Sequence, residues 1–363
     1  MRMSNKKCDL SVIIITKNEE KMITDCIDSV LSAISYAKKE GVIQTAEVIL
    51  SDSASTDKTI DIAKKYPLKI VQLDRKWQLS AAAGLYIGFL QSKGRHIQIL
   101  GGDHVLDKEW LVKGLPILKS SDEIAAVQGF EAENLKGSKA MEHLKKSVEQ
   151  QDNKPPGEVD YAGTAIFKSN ILEKIGPYNP YLKGGEDREL SYRLVDAGYK
   201  ILSIPYTSTI HYWGGKTGKL TLKTMLKSAY KWGLGDGQAA RYNLHKKNMV
   251  LKYLKRYFNA ASIHVYSSIL SFFLIMYVNF LTMLLIPKLT YALYFTLLLD
   301  LMLLGLGSLY AVIKYKSGKL DEFIFSFRVY PDIFVRHIGF ILGFLKKPKD
   351  PSTYPTDVKI IKE

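Results

Sequence analysis

The sequence predicts an α/β fold with a mostly parallel sheet, followed by a C-terminal membrane region. Two observations lead to this prediction. Runs of apolar and β-branched residues alternate with segments of helical spacing along residues 10–204, an order typical of strand–helix–strand units. Further along, residues 260–286 contain no Asp, Glu, Lys or Arg, and residues 289–313 contain only Asp300. Each stretch exceeds the roughly 20 residues that cross a bilayer.

The predicted strands and helices follow one another in order. The continuous run LSVIIIT at residues 10–16 suits a strand that is buried on both faces. Further strands are predicted at residues 47–50, 69–73, 96–100 and 199–204, and helices at residues 22–34, 59–65, 80–91 and 190–197. Ligands of parallel sheets bind beyond the carboxyl ends of the strands. Asn18, Asp52 and Asp103 follow such ends and are therefore candidate site residues.

A pair of glycines, Gly184 and Gly185, precedes two adjacent carboxylates, Glu186 and Asp187. The glycines allow the backbone to approach a ligand closely, and a carboxylate at a helix start in a cleft can act as a general base. Alternatively, the glycines form a turn and the acidic residues stabilise the helix N-terminus. Taken by itself, the stretch fits both interpretations.

Residues 130–158 form a polar, Lys- and Glu-rich segment that ends in Pro155-Pro156-Gly157. We interpret it as a helix-and-loop insertion that acts as a lid over the site. The alternative is a solvated surface helix. Residues 161–167 then return to the core just before the glycine pair.

The distribution of charge predicts a membrane protein with a cytoplasmic N-terminal domain. Lys and Arg residues cluster before residue 260 and after residue 313, whereas the turn between the two apolar runs carries only Lys288. This asymmetry places both flanks of a two-helix hairpin in the cytoplasm, and no signal-peptide pattern is visible. Asp300 is expected to pair with Tyr277 or Asn279 across the hairpin. The alternative is a buried helical hairpin of a soluble protein.

The composition also limits the partners. The net charge of +15 suits anionic lipid head groups or a phosphate-bearing substrate. Nucleic acid is not expected, because no nucleic-acid-binding motif appears. The two cysteines, Cys8 and Cys26, show neither metal-ligand spacing nor a disulfide framework.

Four parts are predicted along the chain: a domain over residues 1–215, amphipathic interfacial helices over 216–258, a transmembrane hairpin with a membrane-associated helix over 259–346, and a loose polar tail over 347–363. Basic and aromatic residues alternate in the second part, as in interfacial helices, although a surface helix packed on the domain is the alternative. Arg328, Asp332 and Arg336 share one helix face. The two arginines are expected to face a lipid or acceptor phosphate, unless the three residues form a self-satisfied charge ladder.

Several motifs together resemble the family 2 glycosyltransferases of the Rossmann-like GT-A fold. They are LSVIIITKNEE, VILSDSASTDKT, ILGGDHVLDKEWL and GGEDRELSYRLVDAGYKI, followed by His211. The similarity covers residue 10 to about residue 215. The later segments resemble the membrane-attached succinoglycan-biosynthesis subgroup. Gln238-Ala239-Ala240-Arg241-Tyr242 is similar to the QxxRW motif of processive polysaccharide synthases and predicts acceptor contacts for Gln238 and Arg241.

The resemblance implies a nucleotide-sugar donor, a divalent metal (Mg²⁺ or Mn²⁺) and an inverting transfer. By their match to the family motifs, residues of the strand-end loops are assigned to the nucleotide sugar: Thr16, Asn18, Glu19, Asp52, Gly102, Asp103 and Gly163. Asp103 and His211 are assigned to the metal, and Asp187, with Glu186 beside it, to the catalytic base. A divalent cation would neutralise the leaving diphosphate, and a carboxylate would take the proton of the acceptor hydroxyl.

The chain departs from the family pattern at three positions. Gly101 stands where the family has the first aspartate of Asp-x-Asp, which predicts weaker metal or ribose binding, or a contribution from His104 or His211. Tyr86 and Ser53 replace a common asparagine and a common acidic residue. These departures concern the identity of the donor more than the fold.

The main functional hypothesis is a membrane-bound inverting glycosyltransferase. It would act on a lipid-linked or membrane acceptor: a polyprenyl phosphate, a lipid-linked oligosaccharide or a glycolipid. The first alternative is a processive polysaccharide synthase. The second, prompted by Gly101, is a non-catalytic GT-A module that serves as a scaffold.

Overall fold

The computed structural model of the chain describes residues 8–133, 155–212, 222–259 and 320–363, and positions 266, 270, 274 and 277. The chain divides into two compact units. Unit 1 comprises residues 1–221 together with residues 346–363, and unit 2 comprises residues 222–345. The predicted boundary after residue 215 lies close to this division, but the last residues of the chain belong to unit 1.

The described part of unit 1 is one sheet with helices on both faces. Its strands are β1 (Cys8–Thr16), β2 (Ala46–Asp52), β3 (Lys69–Gln72), β4 (Gly94–Gly101), β5 (His104–Leu106), β6 (Ile124–Glu133), β7 (Gly157–Val159), β8 (Ala165–Lys168), β9 (Lys200–His211) and β10 (Lys359–Lys362). Its α-helices are α1 (Ile23–Lys39), α2 (Thr59–Ala63), α3 (Ala81–Gln91), α4 (Trp110–Lys119), α5 (Ser169–Ile175) and α6 (Glu186–Asp196).

The strand order brings many loops to one edge of the sheet. The order is β10-β3-β2-β1-β4-β8-β6-β9-β5, with β7 paired to β9. Strands β3, β2, β1 and β4 are parallel, as the alternation of elements predicts, and the sheet is mixed beyond β4. Strand β8 is antiparallel to β4 and β6, β9 is parallel to β6, and β5 is antiparallel to β9. The carboxyl ends of β1, β2, β4, β6 and β9 therefore lie on the same side of the sheet, which is called the sheet edge below. The amino ends of β5 and β8 lie at the same edge.

Strand β1 is buried from both sides. Leu10, Val12 and Ile14 pack with α1 and α4 on one face of the sheet, and Ile13 packs with α3 and α6 on the other. All four side chains are at most 1% exposed. The absence of an alternating polar pattern in LSVIIIT follows from this double burial.

The structure corrects the prediction of a polar helix-and-loop segment over residues 130–158. The polar segment predicted from residue 130 begins later, because β6 continues through Glu133 and pairs in parallel with β9 as far as His211. Gly157–Val159 forms another strand on β9. The lid predicted for the remainder, residues 134–154, lies outside the described residues.

The C-terminal residues, predicted to be a loose polar tail, pack onto unit 1 instead. Strand β10 pairs antiparallel with β3. The Tyr354 ring is buried and makes edge-to-face contacts with Trp77, Tyr86 and Tyr181, and its hydroxyl donates to the carbonyl oxygen of Gln78 at 2.8 Å. An apolar anchor and a strand pairing therefore hold a segment whose composition is mostly polar.

The described part of unit 2 contains two helices that approach each other closely, α7 (Leu222–Tyr242) and α9 (Leu320–Leu345), and a shorter helix, α8 (Lys247–Tyr257), that follows α7. Gly233 and Gly237 on α7 face Gly339 and Gly343 on α9, and a Cβ on any of them would overlap the backbone of the other helix. Glycines four residues apart allow such backbone contact and are common between membrane helices. Within the same unit, the buried Asp236 of α7 accepts a hydrogen bond from the hydroxyl of Tyr257 at 2.9 Å.

Only a few of the membrane predictions concern residues that the structure describes. Among the residues that the structure describes, no helix is both apolar and long enough to cross a bilayer. The predicted spans at 260–286 and 289–313, and the pairing of Asp300, lie outside the described residues apart from isolated positions.

The arginines of unit 2 have protein neighbours. Arg336 Nη2 donates to Asp332 Oδ2 at 2.9 Å, and its guanidinium lies 5.3 Å from the centre of the Trp232 ring. This pairing agrees with the charge-ladder alternative. The guanidinium of Arg241 lies 5.7 Å from the centre of the Phe344 ring. The side chain of Arg328 lies outside the described part, and acceptor contacts of Gln238 and Arg241 stay predictions.

Helix α6, which carries Asp187, is held by a buried ion pair. Gly185 precedes the helix with a φ of +67°, a conformation that glycine adopts without strain. Glu189 is fully buried and accepts hydrogen bonds from Arg193 Nε at 2.8 Å and Nη2 at 2.9 Å. The same guanidinium donates to three carbonyl oxygens at the end of α5, those of Ile175, Gly176 and Pro177. Arg193 therefore ties α6 to α5.

We predict that Arg193→Met lowers the free energy of unfolding by about 3–5 kcal/mol, because it leaves Glu189 as a buried carboxylate without its ion-pair partner. Chemical denaturation measures this change. The control is Lys174→Met on α5, whose ammonium contacts the Tyr199 hydroxyl at an exposed position and should change stability by no more than about 0.5 kcal/mol. Equal effects of the two substitutions would contradict the prediction.

Candidate active site

The loops after β1 and β2 are joined by hydrogen bonds. The Asn18 N–H donates to Ser55 Oγ, and Asn18 Oδ1 accepts from the N–H of Thr56, both at 2.8 Å. The Glu19 N–H donates to Thr59 Oγ1, also at 2.8 Å. Asn18 has a φ of 60°, in the left-handed region that asparagine tolerates better than most residues. The predicted nucleotide-binding loop is therefore fixed to its neighbour.

Asp52, the last residue of β2, is fully buried and orders the loop that follows it. Its carboxylate accepts from the Ser55 N–H at 2.9 Å, from Ser55 Oγ at 2.5 Å and from Gln72 Nε2 at 2.9 Å. These three donors explain why an acidic side chain is tolerated without exposure. The contact of Asp52 with a nucleotide base stays a prediction.

Thr16 and Gly102 meet at the ends of β1 and β4. Thr16 is 5% exposed, and its Oγ1 has no hydrogen-bond partner within the described parts of the chain. A Cβ on Gly102 would lie 2.9 Å from this oxygen, so glycine keeps the space beside it clear. A buried hydroxyl without a partner is uncommon, and a ligand at this edge can complete its hydrogen bonding.

Two histidines face each other across the pairing of β5 with β9. His104 and His211 are direct partners in this antiparallel register, and their rings stack with centroids 4.1 Å apart. Asp103, just before β5, contacts both rings: Oδ1 lies 2.9 Å from His104 Nδ1, and Oδ2 lies 3.0 Å from His211 Nε2. The cross-strand pairing therefore gathers two imidazoles at one carboxylate.

Glu131, near the end of β6, contacts the other side of the same rings. Its Oε1 lies 3.1 Å from His211 Nδ1, and its Oε2 lies 3.3 Å from His104 Nε2. Sequence reasoning missed this residue because it stands in a Lys- and Glu-rich stretch that matches no motif. Its position at the carboxyl end of a strand is the signal that could have identified it.

The same geometry explains Gly101. A Cβ at this position would lie 2.6 Å from His104 Nδ1 and 2.7 Å from Asp103 Oδ1. The space that the first aspartate of Asp-x-Asp would need is therefore filled by the His104 ring and the Asp103 carboxylate. Glycine at 101 and histidine at 104 belong together, and the predicted contribution of His104 agrees with this placement.

Hydrogen bonds within the cluster shift the pKa values of its members. Burial alone would raise the pKa of Asp103 and of Glu131, but bonds from the two histidines hold both values well below the usual range. Burial alone would lower the histidine pKa values, yet the carboxylates raise that of His104 and raise that of His211 to about 9. Burial, followed by repulsion from Asp103, raises the pKa of Glu19 to about 7, so Glu19 faces the same cluster.

Asp187 occupies the first turn of α6, and Glu186 begins that helix. The hydroxyl of Tyr161 donates to Asp187 Oδ2 at 2.5 Å, and the Arg188 guanidinium lies 5.7 Å from the centre of the Tyr161 ring. Burial, with Asp187 adding to it, raises the pKa of Tyr161, which keeps the phenol protonated as a donor. Asp187 Oδ1 also accepts a hydrogen bond from the N–H of Arg188 at 2.7 Å within the first turn. The carboxylate therefore lies at the helix start, and its role as a catalytic base stays a prediction.

The strap, defined here as residues 161–164, links Asp187 to the histidine cluster. Its first two residues bond to α6, Tyr161 to Asp187 and Ala162 N–H to Ser191 Oγ at 2.9 Å, and its last two bond to β6, Gly163 N–H to Gln128 Oε1 at 3.1 Å and Thr164 Oγ1 to Glu131 Oε2 at 2.8 Å. Predicted site residues of unit 1 thus converge at one sheet edge. The four residues predicted for the acceptor, Gln238, Arg241, Arg328 and Arg336, belong to unit 2.

The cluster fits a divalent cation. Asp103, His104 and His211 each offer one ligand atom, and these atoms lie within 4.8 Å of one another. The unpartnered Thr16 hydroxyl at the same strand ends is consistent with a ligand site. A carboxylate with two imidazoles suits Mn²⁺ better than Mg²⁺, which prefers oxygen ligands and water.

Comparison with known proteins identifies the class of this domain. Residues 11–176 match the model of glycosyl transferase family 2. These residues make up just under half of the chain, and over them the chain is similar to this family, in agreement with the predicted resemblance.

Relatives of known name support the same class. The chain is 26% identical to the glycosyltransferase AglE of Haloferax volcanii over 197 residues, which cover 53% of this chain and 63% of AglE. It is 27% identical over 137 residues to the dolichyl-phosphate beta-glucosyltransferase ALG5A of Trichomonas vaginalis, covering 36% of this chain and 42% of that protein. The chain thus spans less than two thirds of the length of either relative.

The fold also has a solved counterpart. The mannosyltransferase PcManGT from Pyrobaculum calidifontis, in complex with GDP-Man and Mn²⁺, superposes with a TM-score of 0.57 at 14% identity, covering 94% of this chain and 90% of that chain. At this identity the similarity concerns the fold alone, and it agrees with the predicted GT-A architecture.

We predict that Gly101→Asp, which restores the first aspartate of the family motif, weakens Mn²⁺ binding by about tenfold or more, the usual range for a disturbed metal environment. The physical reason is that the new Cβ displaces the His104 ring. Electron paramagnetic resonance of unbound Mn²⁺ measures the affinity. Gly101→Ala is the matched control for the steric effect and should weaken binding in the same direction. Tighter binding by Gly101→Asp would show that the lost carboxylate matters more than the space.

Proposed function

We propose that this protein is a membrane-bound inverting glycosyltransferase that moves a sugar from a nucleotide-sugar donor onto a lipid-linked acceptor. One observation carries the proposal: in a glycosyl transferase family 2 domain, the Asp103–His104–His211 cluster and Asp187 converge at the same sheet edge. Glycosyl transfer needs one group of residues for the leaving diphosphate and another for the attacking acceptor. The Asp103–His104–His211 cluster would supply the first group, here called the donor half, and Asp187 belongs to the second, the acceptor half.

In this proposal the donor half of the site binds the diphosphate of the nucleotide sugar. A divalent cation held by Asp103, His104 and His211 would neutralise the charge that develops on the diphosphate. The Thr16 hydroxyl, at the same edge, has no hydrogen-bond partner within the described residues and would orient the nucleotide. The Asn18–Glu19 loop beside it is fixed by its bonds to Ser55 and Thr59. PcManGT, which has a similar fold, binds GDP-Man with Mn²⁺, and this supports a nucleotide sugar and Mn²⁺ as the ligands.

The acceptor half is built around Asp187. Its Oδ2 accepts a hydrogen bond from the Tyr161 hydroxyl, and an acceptor hydroxyl that replaces this phenol would donate to the same oxygen. The carboxylate then takes the proton as the hydroxyl oxygen attacks the anomeric carbon. Attack from the face opposite the diphosphate inverts the configuration at that carbon.

A lipid-linked acceptor and a membrane location are supported by the sequence and by one relative. The name of the Trichomonas protein specifies dolichyl phosphate. Residues 260–286 and 289–313 are almost free of charge, and basic residues flank them. In this proposal the apolar segments hold the protein at the membrane, the catalytic unit lies in the cytoplasm, and the acceptor is a polyprenyl phosphate, a lipid-linked oligosaccharide or a glycolipid.

The deciding experiment incubates the full-length protein with a panel of UDP- and GDP-sugars, Mn²⁺ and extracted membrane lipids, and determines product masses. Addition of one sugar to a lipid is the expected result. A long polymer would favour the processive synthase. Failure of every donor to undergo transfer or hydrolysis would favour the non-catalytic scaffold.

We predict that Asp187→Asn lowers the transfer rate by about 10²–10⁴-fold while donor affinity changes only a few-fold, because the shape is kept and the base is lost. Single-turnover kinetics and calorimetry with the nucleoside diphosphate measure the two quantities. The result also distinguishes the acceptors. A phosphate oxygen is already ionised near neutral pH, so a small effect on rate would indicate a polyprenyl phosphate rather than a hydroxyl acceptor.

We predict that Asp103→Ala removes the metal-dependent part of nucleotide binding, because it deletes the carboxylate shared by both histidines. Calorimetry of the nucleoside diphosphate with and without Mn²⁺ gives this difference directly. Asp61→Ala, at an exposed position of α2 where the carboxylate pairs with Lys64, is the control for loss of a carboxylate outside the cluster. An unchanged metal dependence in Asp103→Ala would exclude this cluster as the metal site.

A further inference from the structure

The carboxylate of Glu131 stands in an unusual relation to the two histidines. Each ring bridges Asp103 and Glu131, but the rings do so with opposite atoms. His104 turns Nδ1 towards Asp103 and Nε2 towards Glu131, whereas His211 turns Nε2 towards Asp103 and Nδ1 towards Glu131. The stacked rings, whose planes differ by 15°, are therefore enclosed between two carboxylates.

This arrangement determines where protons can lie. A neutral imidazole carries one N–H and one lone pair. A cation bound beside Asp103 needs the lone pairs of His104 Nδ1 and His211 Nε2, so the remaining N–H groups must be at His104 Nε2 and His211 Nδ1. Both of these atoms face Glu131. Its two ionised oxygens can each accept a hydrogen bond from one of these N–H groups.

We propose that Glu131 is a positioning residue that holds His104 and His211 in opposite tautomers and so directs both lone pairs at the cation site. A carboxylate that accepts the outer N–H of a ligating histidine fixes the ring and its tautomer. Here one carboxylate does this for two rings. The inference rests on the metal site of the proposed function, and it assigns Glu131 a role behind the ligands rather than among them.

Thr164 gives Glu131 its own orientation. The Thr164 hydroxyl donates to Glu131 Oε2 at 2.8 Å, the same oxygen that faces His104. The hydroxyl belongs to the strap, whose first residue contacts Asp187. Glycine at position 101 leaves the site without the first aspartate of Asp-x-Asp. Glu131 places another carboxylate behind the two rings, from a different strand and on the side opposite Asp103.

The test measures metal binding and tautomers rather than sugar transfer. In Glu131→Gln, an amide replaces the carboxylate and has only one oxygen to accept an N–H. We expect Mn²⁺ affinity without nucleotide to fall about 10–100-fold, the range found for outer partners of metal ligands. In the protein loaded with diamagnetic Zn²⁺, ¹⁵N NMR of labelled histidine should show opposite tautomers for His104 and His211. Glu131→Gln should lose this pattern for at least one ring.

Two further variants make the result interpretable. Thr164→Val leaves both histidines and Glu131 in place and should weaken Mn²⁺ binding in the same direction by a smaller factor. Glu123→Gln removes an exposed carboxylate at the other end of the same strand, where it pairs with Lys200, and should leave affinity and tautomers unchanged.

Unchanged tautomers with an affinity within twofold of the wild type in Glu131→Gln would overturn the inference. Loss of the metal with retained tautomers would also overturn it, because Glu131 would then be a direct ligand. A protein that shows the expected tautomers but transfers no sugar would refute the proposed function and leave the role of Glu131 standing.

Discussion

The antiparallel pairing of β5 with the end of β9 is the constraint on which the rest of the site depends. Strand β5 has three residues, and its register places His104 opposite His211. The pairing continues at Tyr212, whose N–H donates to the carbonyl oxygen of Asp103 at 2.9 Å. A slip by one residue would turn a histidine to the other face of the sheet, and the Asp103 carboxylate would lose one of its two rings.

The strap connects the histidine cluster, which the β5–β9 pairing assembles, to Asp187. Residues 161–164 lead into β8 at the edge where β6 and β9 end; the first two bond to α6 and the last two bond to β6. A displacement of β6 that moved Glu131 would also move Thr164, which is hydrogen-bonded to it, and Tyr161, three residues earlier. The histidine cluster and Asp187 are thus parts of one hydrogen-bonded assembly. The buried Glu189–Arg193 pair fixes the helix at its far end.

The parallel half of the sheet and two of its carboxylates could be predicted from the sequence, because their signals are local. LSVIIIT carries its double burial within seven residues, and Asp103 and Asp187 stand in recognisable motifs. Glu131 could not be predicted in this way. It lies 27 positions from His104 in sequence, and the contact exists only because β6 and β5 both border β9. The docking of Tyr354 depends on Gln78, 276 positions away, and no periodicity in a short polar segment reports such a partner.

Strand β10 gives the sheet a protected border. Without it, β3 would present unpaired N–H and C=O groups to any other extended chain, the usual starting point for edge-to-edge aggregation. The covering strand has lysines at both ends, Lys359 and Lys362, and the ammonium of Lys362 donates to the carbonyl oxygens of Lys64 and Tyr66 at 2.8 and 2.7 Å. Residues 359–362 therefore cover the edge strand of unit 1. Their removal would expose β3 as an aggregation-prone edge, at the end of the strand order opposite β5.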